Sequence, residues 1–305
     1  MKKIILLFVA GICSLTVVTA QEVTEPEAAQ APKPKYTRAT FNSTRIINMQ
    51  SVEAVSEGNL QFLISHHFSY LWNKDAGGGE NFAQLLGLNS GVAHTYLSFD
   101  YSPKKWLNIG VAAAGSSKYE GFAKIKLLRQ QTGVRNIPVS VAFYSMVNVN
   151  AAKDPDVQLA WNKYSFMNQL LIARKFSDKL SLQLMPTWIH FNIVPYGINN
   201  SNEVLSLGLG GKYKLNSKHN ITFEYARQMN MYNNLITKNG AIISYKPDIL
   251  SLGWEINTGG HLFQFYVGST TDASNIDQLA RNNSNIKDGN FAFGFTINRS
   301  LSLKK

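Results

Sequence analysis

An all-β fold, an antiparallel transmembrane β-barrel of about twelve strands, is what this sequence predicts, and three observations predict it. Apolar and polar residues alternate with period two from residue 60 onward, the pattern of strands. One face of each run is rich in Leu, Phe, Tyr and Trp, while the other is small or hydrophilic. The connections between runs alternate between short and long. Composition narrows the field further. Of 305 residues only 16% are charged and 11% are aromatic, which is the reverse of a disordered chain. Only one apolar run approaches helix-spanning length, and it starts at residue 4, so a helical membrane protein is excluded. A single Cys excludes a disulfide framework and a thiolate zinc site.

The first element is an address. Met1-Lys2-Lys3 is a positive leader, Ile4 to Val18 an apolar stretch, and Val18-Thr19-Ala20 a small-residue cut site before Gln21. This is the pattern of a secretory signal peptide over residues 1–20. Its removal takes Lys2 and Lys3, so the formal charge falls from +11 to +9. Residues 21–40 carry Pro26, Pro32 and Pro34 among Glu, Ala, Gln and Lys, too little apolar area to fold. They read as a flexible periplasmic tether, with the barrel occupying 41–305 and folded structure beginning near Phe41.

The strands then follow in order. Leu60, Phe62, Ile64, Phe68 and Tyr70 share one face against Gln61, Ser65, His67 and Ser69. The same alternation runs through Thr95–Tyr101, Leu107–Ala113, Val139–Val149, Leu180–Trp188, Leu205–Leu215, Ile221–Tyr225, Leu250–Ile256, Phe263–Val267 and Phe291–Ile297. Segments 119–130 and 163–176 fit less cleanly, with Asn168 and Arg174 on the apolar face of the second. Such faces admit a soluble sandwich that buries them together, or a barrel that turns them to lipid. Loop lengths favour the barrel. Ser102–Lys105, Thr132–Ile137, Ser177–Lys179, Asn216–His219 and Thr258–Gly260 are tight. Leu71–Gly91, Asn150–Asn162, Ile193–Asn202, Met229–Ile249 and Ser269–Gly289 are long, and only Gly115–Lys118 breaks the order. Outer-membrane barrels have short periplasmic turns and longer extracellular loops, so the expected location is the outer membrane of a Gram-negative bacterium.

Three stretches carry a family likeness: Thr44-Arg45-Ile46-Ile47-Asn48-Met49-Gln50-Ser51-Val52-Glu53, then Tyr119 to Gln130, and Ile256-Asn257-Thr258-Gly259-Gly260-His261-Leu262-Phe263-Gln264 with Gly289 to Arg299 behind it. From about residue 41 to its end the chain resembles a bacterial outer-membrane β-barrel family, domain-of-unknown-function 5777. The resemblance implies an outer-membrane barrel and supplies no catalytic or ligand residues.

Alternation places Lys124, Lys126, Lys212 and Lys214 inside the lumen, together with Glu120, Glu224 and Glu255. Gln61, Gln183, Gln264 and Asn108 join them as neutral polar groups. Rings of Lys set selectivity in porin-like channels, so one reading is a weakly anion-preferring pore. The other is a closed lumen in which Lys and Glu satisfy one another. Between them stands a barrel whose lumen is filled by Phe41–Val55. The leading expectation is therefore a narrow channel or binding barrel for a small anionic or neutral solute. The alternative is a non-conducting structural or loop-binding barrel.

No enzyme is expected. His66 falls on the lipid face in register with Ile64 and Phe68, with Thr95 outward on the next strand, so a lipid-modifying enzyme is a further alternative. No serine-centred motif accompanies it, however. His66 and His67 point to opposite faces and the remaining His residues lack metal spacing, so no metal is expected. His261, after Gly259-Gly260, reads as a turn residue. The absence of a Gly-rich phosphate loop argues against a nucleotide cofactor. The basic residues are scattered, so outer-membrane lipid rather than nucleic acid is the expected macroscopic partner. The oligomeric state stays open.

Overall fold

The computed structural model describes residues 33–83, 93–115, 117–152, 160–194, 201–230, 234–238, 241–245, 248–282 and 286–303. The expected leader and most of the tether lie outside the described residues. Twelve strands form the barrel: β1 Asn59–Trp72, β2 His94–Lys104, β3 Leu107–Ala114, β4 Lys118–Leu128, β5 Ser140–Asn150 and β6 Tyr164–Lys175. They continue as β7 Leu180–Phe191, β8 Glu203–Lys214, β9 His219–Gln228, β10 Asp248–Asn257, β11 Leu262–Gly268 and β12 Phe291–Ser302. Each pairs antiparallel with its chain neighbours, and β12 pairs with β1, so the sheet closes with no free edge.

The predicted faces hold around the wall except beyond a bulge in β1. Directly paired residues share a side, and Leu209 lies between Leu184 and Tyr225, Trp254 between Ile221 and Phe265. Among the described residues no second sheet covers this outer surface: Val111 and Leu252 are each 60% exposed and Leu205 is 48% exposed. A water-soluble sandwich would bury these residues, whereas lipid accepts them. Asn168 and Arg174 do stand on the outer side of β6, between buried Met167, Gln169 and Ala173. Arg174 is two residues from the turn, with its guanidinium 5.1 Å from the Phe176 ring centroid, as a rim residue should be.

Two expectations need correction. Tyr70 was placed on the lipid face, but the β12–β1 register shifts between Gly294↔His67 and Ala292↔Tyr70. This bulge brings Tyr70 opposite inward-facing Ala292, and it falls after His66, which keeps its outward side. Order also begins before Phe41. Lys35–Tyr36 pair with Gln131–Thr132, Thr37 N–H donates to the Gln130 carbonyl at 2.9 Å, and Arg129 lies 4.7 Å over the Tyr36 ring.

At the tight end of the barrel, Gly259 has φ +86° in the turn after β10, a conformation Gly adopts without a Cβ penalty. Asn257 Oδ1 accepts the Gly259 N–H there, and His261 closes the turn through its carbonyl. The long connections hold a helix at Gly78–Ala83, a hairpin of Asn234–Lys238 with Ala241–Tyr245, and a segment after β11 that turns inward.

Candidate functional site

The lumen is the site, and it is occupied by the chain itself. Residues 40–55 form a hairpin buried inside the wall. Ile46 N–H donates to the Met49 carbonyl and Ser51 N–H to the Thr44 carbonyl, both at 2.9 Å, while Arg45 and Gln50 form an antiparallel bridge. Both stems of this hairpin lie at the turn end of the barrel. Thr37 is bonded to the β4–β5 turn, and Gly58, just before β1, donates to the Ser102 carbonyl at 2.8 Å.

A tip this tight leaves three successive backbone N–H groups aimed outward, a concavity that suits an anion. The wall supplies one. Glu224 on β9 accepts from Ile47 (2.8 Å) and Met49 (2.7 Å) through Oε1, and from Asn48 (3.0 Å) through Oε2. Charge-assisted bonds of this kind are roughly twice as strong as neutral ones. Gln183 on β7 reads the other strand of the hairpin: its Oε1 accepts the Val52 N–H and its Nε2 donates to the Gln50 carbonyl, both at 2.7 Å. Lys124 on β4 donates to the carbonyls of Thr44 (3.0 Å) and Glu53 (2.8 Å). Gln264 on β11 donates to the Ile46 carbonyl at 2.6 Å and to Glu255 at 2.8 Å. Glu255 also accepts from Asn42, which in turn accepts from Lys212 at 3.0 Å. Gln61 reaches Thr44 Oγ1, Asn108 accepts the Val55 N–H, and Lys126 pairs with Glu53.

Two glycines make room for the tip. A Cβ on Gly210 would lie 2.4 Å from Ile46 Cδ1, and one on Gly253 would lie 3.1 Å from Ile47 Cδ1. Both isoleucines are buried, at 0% and 1% exposure, with Met49 beside them at 1%.

The segment Ser269–Asn282 enters from the other end. Nearly all of it is buried, including Ala273, Ile276, Leu279 and Ala280, which join one apolar cluster with Met185, Ile189, Val204, Ala226 and Ile249 of the wall. Its single helical turn, Asp277–Arg281, packs against β8, β9 and β10. Polar ties add to this packing: Ser274 Oγ donates to Glu120 at 2.6 Å, Leu250 N–H donates to Ser269 Oγ at 3.0 Å, Lys118 pairs with Asp277, and Arg281 sits 4.1 Å over the Phe191 ring. Burial, reinforced by the neighbouring Asp277 carboxylate, holds the Asp272 carboxyl above the usual carboxylate range. Hairpin and inward segment touch where Asn275 Nδ2 donates to the Asn48 carbonyl at 3.0 Å.

The structure therefore gathers Lys124, Lys126, Lys212, Glu224, Glu255, Gln61, Gln183 and Gln264 onto the hairpin, or onto a side chain bound to it. Glu120 goes to the inward segment. Lys214 stands apart, exposed at the rim. Of these, Lys124, Glu224, Gln183 and Gln264 bond the hairpin's backbone, whereas Gln61, Lys126, Lys212 and Glu255 bond its side chains. Alternation also missed Asp100, which is inward, buried and bonded to Ser98. Asp100 joins Glu120, Glu224 and Glu255 as an inward wall carboxylate, while Lys118 and Lys175 share the inward parity of Lys124, Lys126, Lys212 and Lys214. Arg45 of the hairpin lies 4.0 Å over the Tyr96 ring, a contact that no spacing in the sequence announced.

On the outer wall, Thr95 Oγ1 and His66 Nδ1 are 3.2 Å apart beside the Phe295 and Phe68 rings. The pair satisfies itself in an apolar surround. Among the described residues there is no cluster of His, Cys, Asp or Glu fit to hold a metal.

A family described as a membrane-bound β-barrel domain, DUF5777, matches residues 41–301. No curated protein matches the chain. Among solved structures, in-vitro folded OmpT, an outer membrane protein of Vibrio cholerae, is 10% identical, with 80% of this chain and 96% of that one aligned at a TM-score of 0.34. A Pseudomonas aeruginosa FadL homologue is 11% identical over 80% of this chain and 89% of that one, at 0.34. An anion-selective porin from Comamonas acidovorans is 12% identical over 77% and 65%, at 0.32.

Proposed function

The chain belongs to the membrane-bound β-barrel family DUF5777, and from that premise we propose that it is an outer-membrane barrel held shut by its own N-terminal hairpin, which binds or passes a small polar solute when the hairpin withdraws. The observation that carries this reading is the hairpin's topology. Both of its stems leave through the turn end, so the tip can leave the lumen without threading through the wall. Behind it would remain a wall lined by Lys124, Lys126, Lys212, Glu224, Glu255, Gln61, Gln183 and Gln264, which is hydrated in the empty state. A lumen meant to stay closed needs no such lining, since side chains of the wall can fill a small barrel directly. The reading is non-enzymatic: His66 has a hydroxyl partner in Thr95, and no hydrogen bond among the described residues brings a third group to orient the pair for chemistry.

Conductance in a planar bilayer tests the proposal. The full chain is expected to be nearly silent, and a variant lacking residues 40–55 is expected to conduct. The second closure, by Ser269–Asn282, favours the alternative of a barrel that never conducts and works through its loops. That reading wins if a variant lacking both inserted segments folds and stays silent.

A further inference from the structure

The hairpin stem divides the turn-end mouth of the barrel into two cavities that share Arg38, Ala39 and Asn42. The larger, about 460 Å³, holds Arg38, Lys105, Lys126 and Arg129 against Glu53 and Glu57, and Lys126 is already paired with Glu53. The smaller, about 330 Å³, is different. It holds Arg38, Lys175, Lys212 and Lys214 against the single carboxylate of Asp178, with Asn42, Ser217, Asn220 and Asn257 as neutral donors and acceptors. The nearest buried carboxylate, Glu255, is occupied by Asn42 and Gln264. Glu255 and Glu53 attract the Lys212 ammonium group, while Lys175 and Lys214 repel it.

Four cations facing Asp178 and the nearby Glu255 in a concave site leave a positive surplus that an anion would relieve. We infer that this cavity binds a compact anion of the phosphate class, borne by a small solute or by a lipid headgroup. Its volume lies at the small end of ligand pockets, which run from roughly 300 to 1,000 Å³. Arg38 offers the planar fork that matches two phosphate oxygens, and the lysines act as point charges. Lys212 and Asn220 are inward-facing and Asn42 belongs to the hairpin, so the anion sits inside the mouth and not on the lipid-facing rim. It would touch wall and stem together, and its binding would favour the seated hairpin by mass action. The site does not depend on whether the barrel conducts.

The test uses the full chain in phosphatidylcholine nanodiscs, titrated calorimetrically with inorganic pyrophosphate. Saturable binding is expected, weakened tenfold or more by Lys175→Gln with Lys214→Gln, two positions near the rim whose loss leaves the wall's hydrogen bonds intact. Lys105→Gln with Arg129→Gln, in the neighbouring cavity, should change it by less than threefold. A parallel arm adds phosphatidylglycerol and follows lipid retained by the protein in native mass spectrometry. Pyrophosphate binding assigns the site to a soluble anion. Retention of phosphatidylglycerol that the Lys175/Lys214 variant loses, without pyrophosphate binding, assigns it to a headgroup. Absence of both, or equal binding by the wild type and that variant, overturns the inference.

Discussion

The two segments that fill the lumen share one apolar cluster but differ in what the wall's polar groups grip, backbone in one and side chains in the other. The hairpin of residues 40–55 is gripped through its backbone, whose amides and carbonyls bond Glu224, Gln183, Gln264 and Lys124, while Phe41, Ile46, Ile47, Met49 and Val52 are buried among the wall's side chains. The inward segment of residues 269–282 is held through its side chains: Ile276, Leu279, Ala273 and Ala280 pack in the apolar cluster, while Ser274 bonds Glu120 and Asp277 pairs with Lys118. Backbone-directed bonds are geometrically demanding and fail together when one acceptor is lost. Apolar packing is graded and tolerates repacking. The hairpin should thus behave as a seated or unseated element, and the inward segment as one that loosens by degrees.

Removing the acceptor at the centre of the hairpin is the strongest way to break this contrast. Glu224→Ala orphans three buried N–H groups, each worth roughly 1–3 kcal/mol. Hydrogen exchange should show protection lost over 44–52 and kept over 273–280; loss in both segments would mean that the Asn275–Asn48 contact makes them one unit. Gly210→Phe acts from the other side of the tip, forcing a ring into the space of Ile46 at a cost of up to about 3 kcal/mol. Adding Ile46→Ala to the same chain should restore protection, and failure to do so would show that the seat is not made by that glycine.

Smaller effects should fall on the inward segment. Leu279→Ala removes a buried side chain from a segment able to relax, so about 2 kcal/mol is expected, the lower end for such truncations. Its signature is faster exchange over 273–280 with the hairpin unchanged. The smallest effect concerns pH. Asp272 has a raised carboxyl pKa in the inward position, facing Asp277, Lys118 and His94. The stability of that position is therefore complete below the ordinary carboxylate value and is lost as pH rises through the raised one. Exchange over 273–280, corrected for its intrinsic pH dependence, should be slower near the ordinary carboxylate value than at pH 7. The opposite order would show that another group governs the segment.

Much of this architecture was legible because a strand has period two and each barrel face has one solvent. Lys124, Glu224 and Gln264 were placed inside on parity alone, and parity held. What parity cannot give is a partner. Glu224 meets Ile47, Asn48 and Met49 only once twelve strands have closed, across about 175 residues of chain. Phe41–Val55 was an open candidate for filling the lumen, but nothing in the hairpin's sequence specifies where it docks, because the wall binds its backbone. The inward segment was read as an ordinary long loop. Ile276, Leu279 and Ala280, spaced three and four apart, carried the helical signal that could have marked it. Tyr70 was misplaced for a different reason: a bulge breaks parity and leaves no trace in composition.

The hairpin's grip on the wall has a consequence for reversibility. Because recognition is written in main-chain amides and because neither stem crosses the barrel, the plug need not be covalently continuous with β1 to find its seat. A synthetic peptide of residues 38–56, offered from the turn side to a chain lacking that stretch, carries every group that Glu224, Gln183 and Lys124 bind. The closure is in this sense an exchangeable stopper, competing at a concentration set by its tether, and a free competitor of the same backbone shape could take its place.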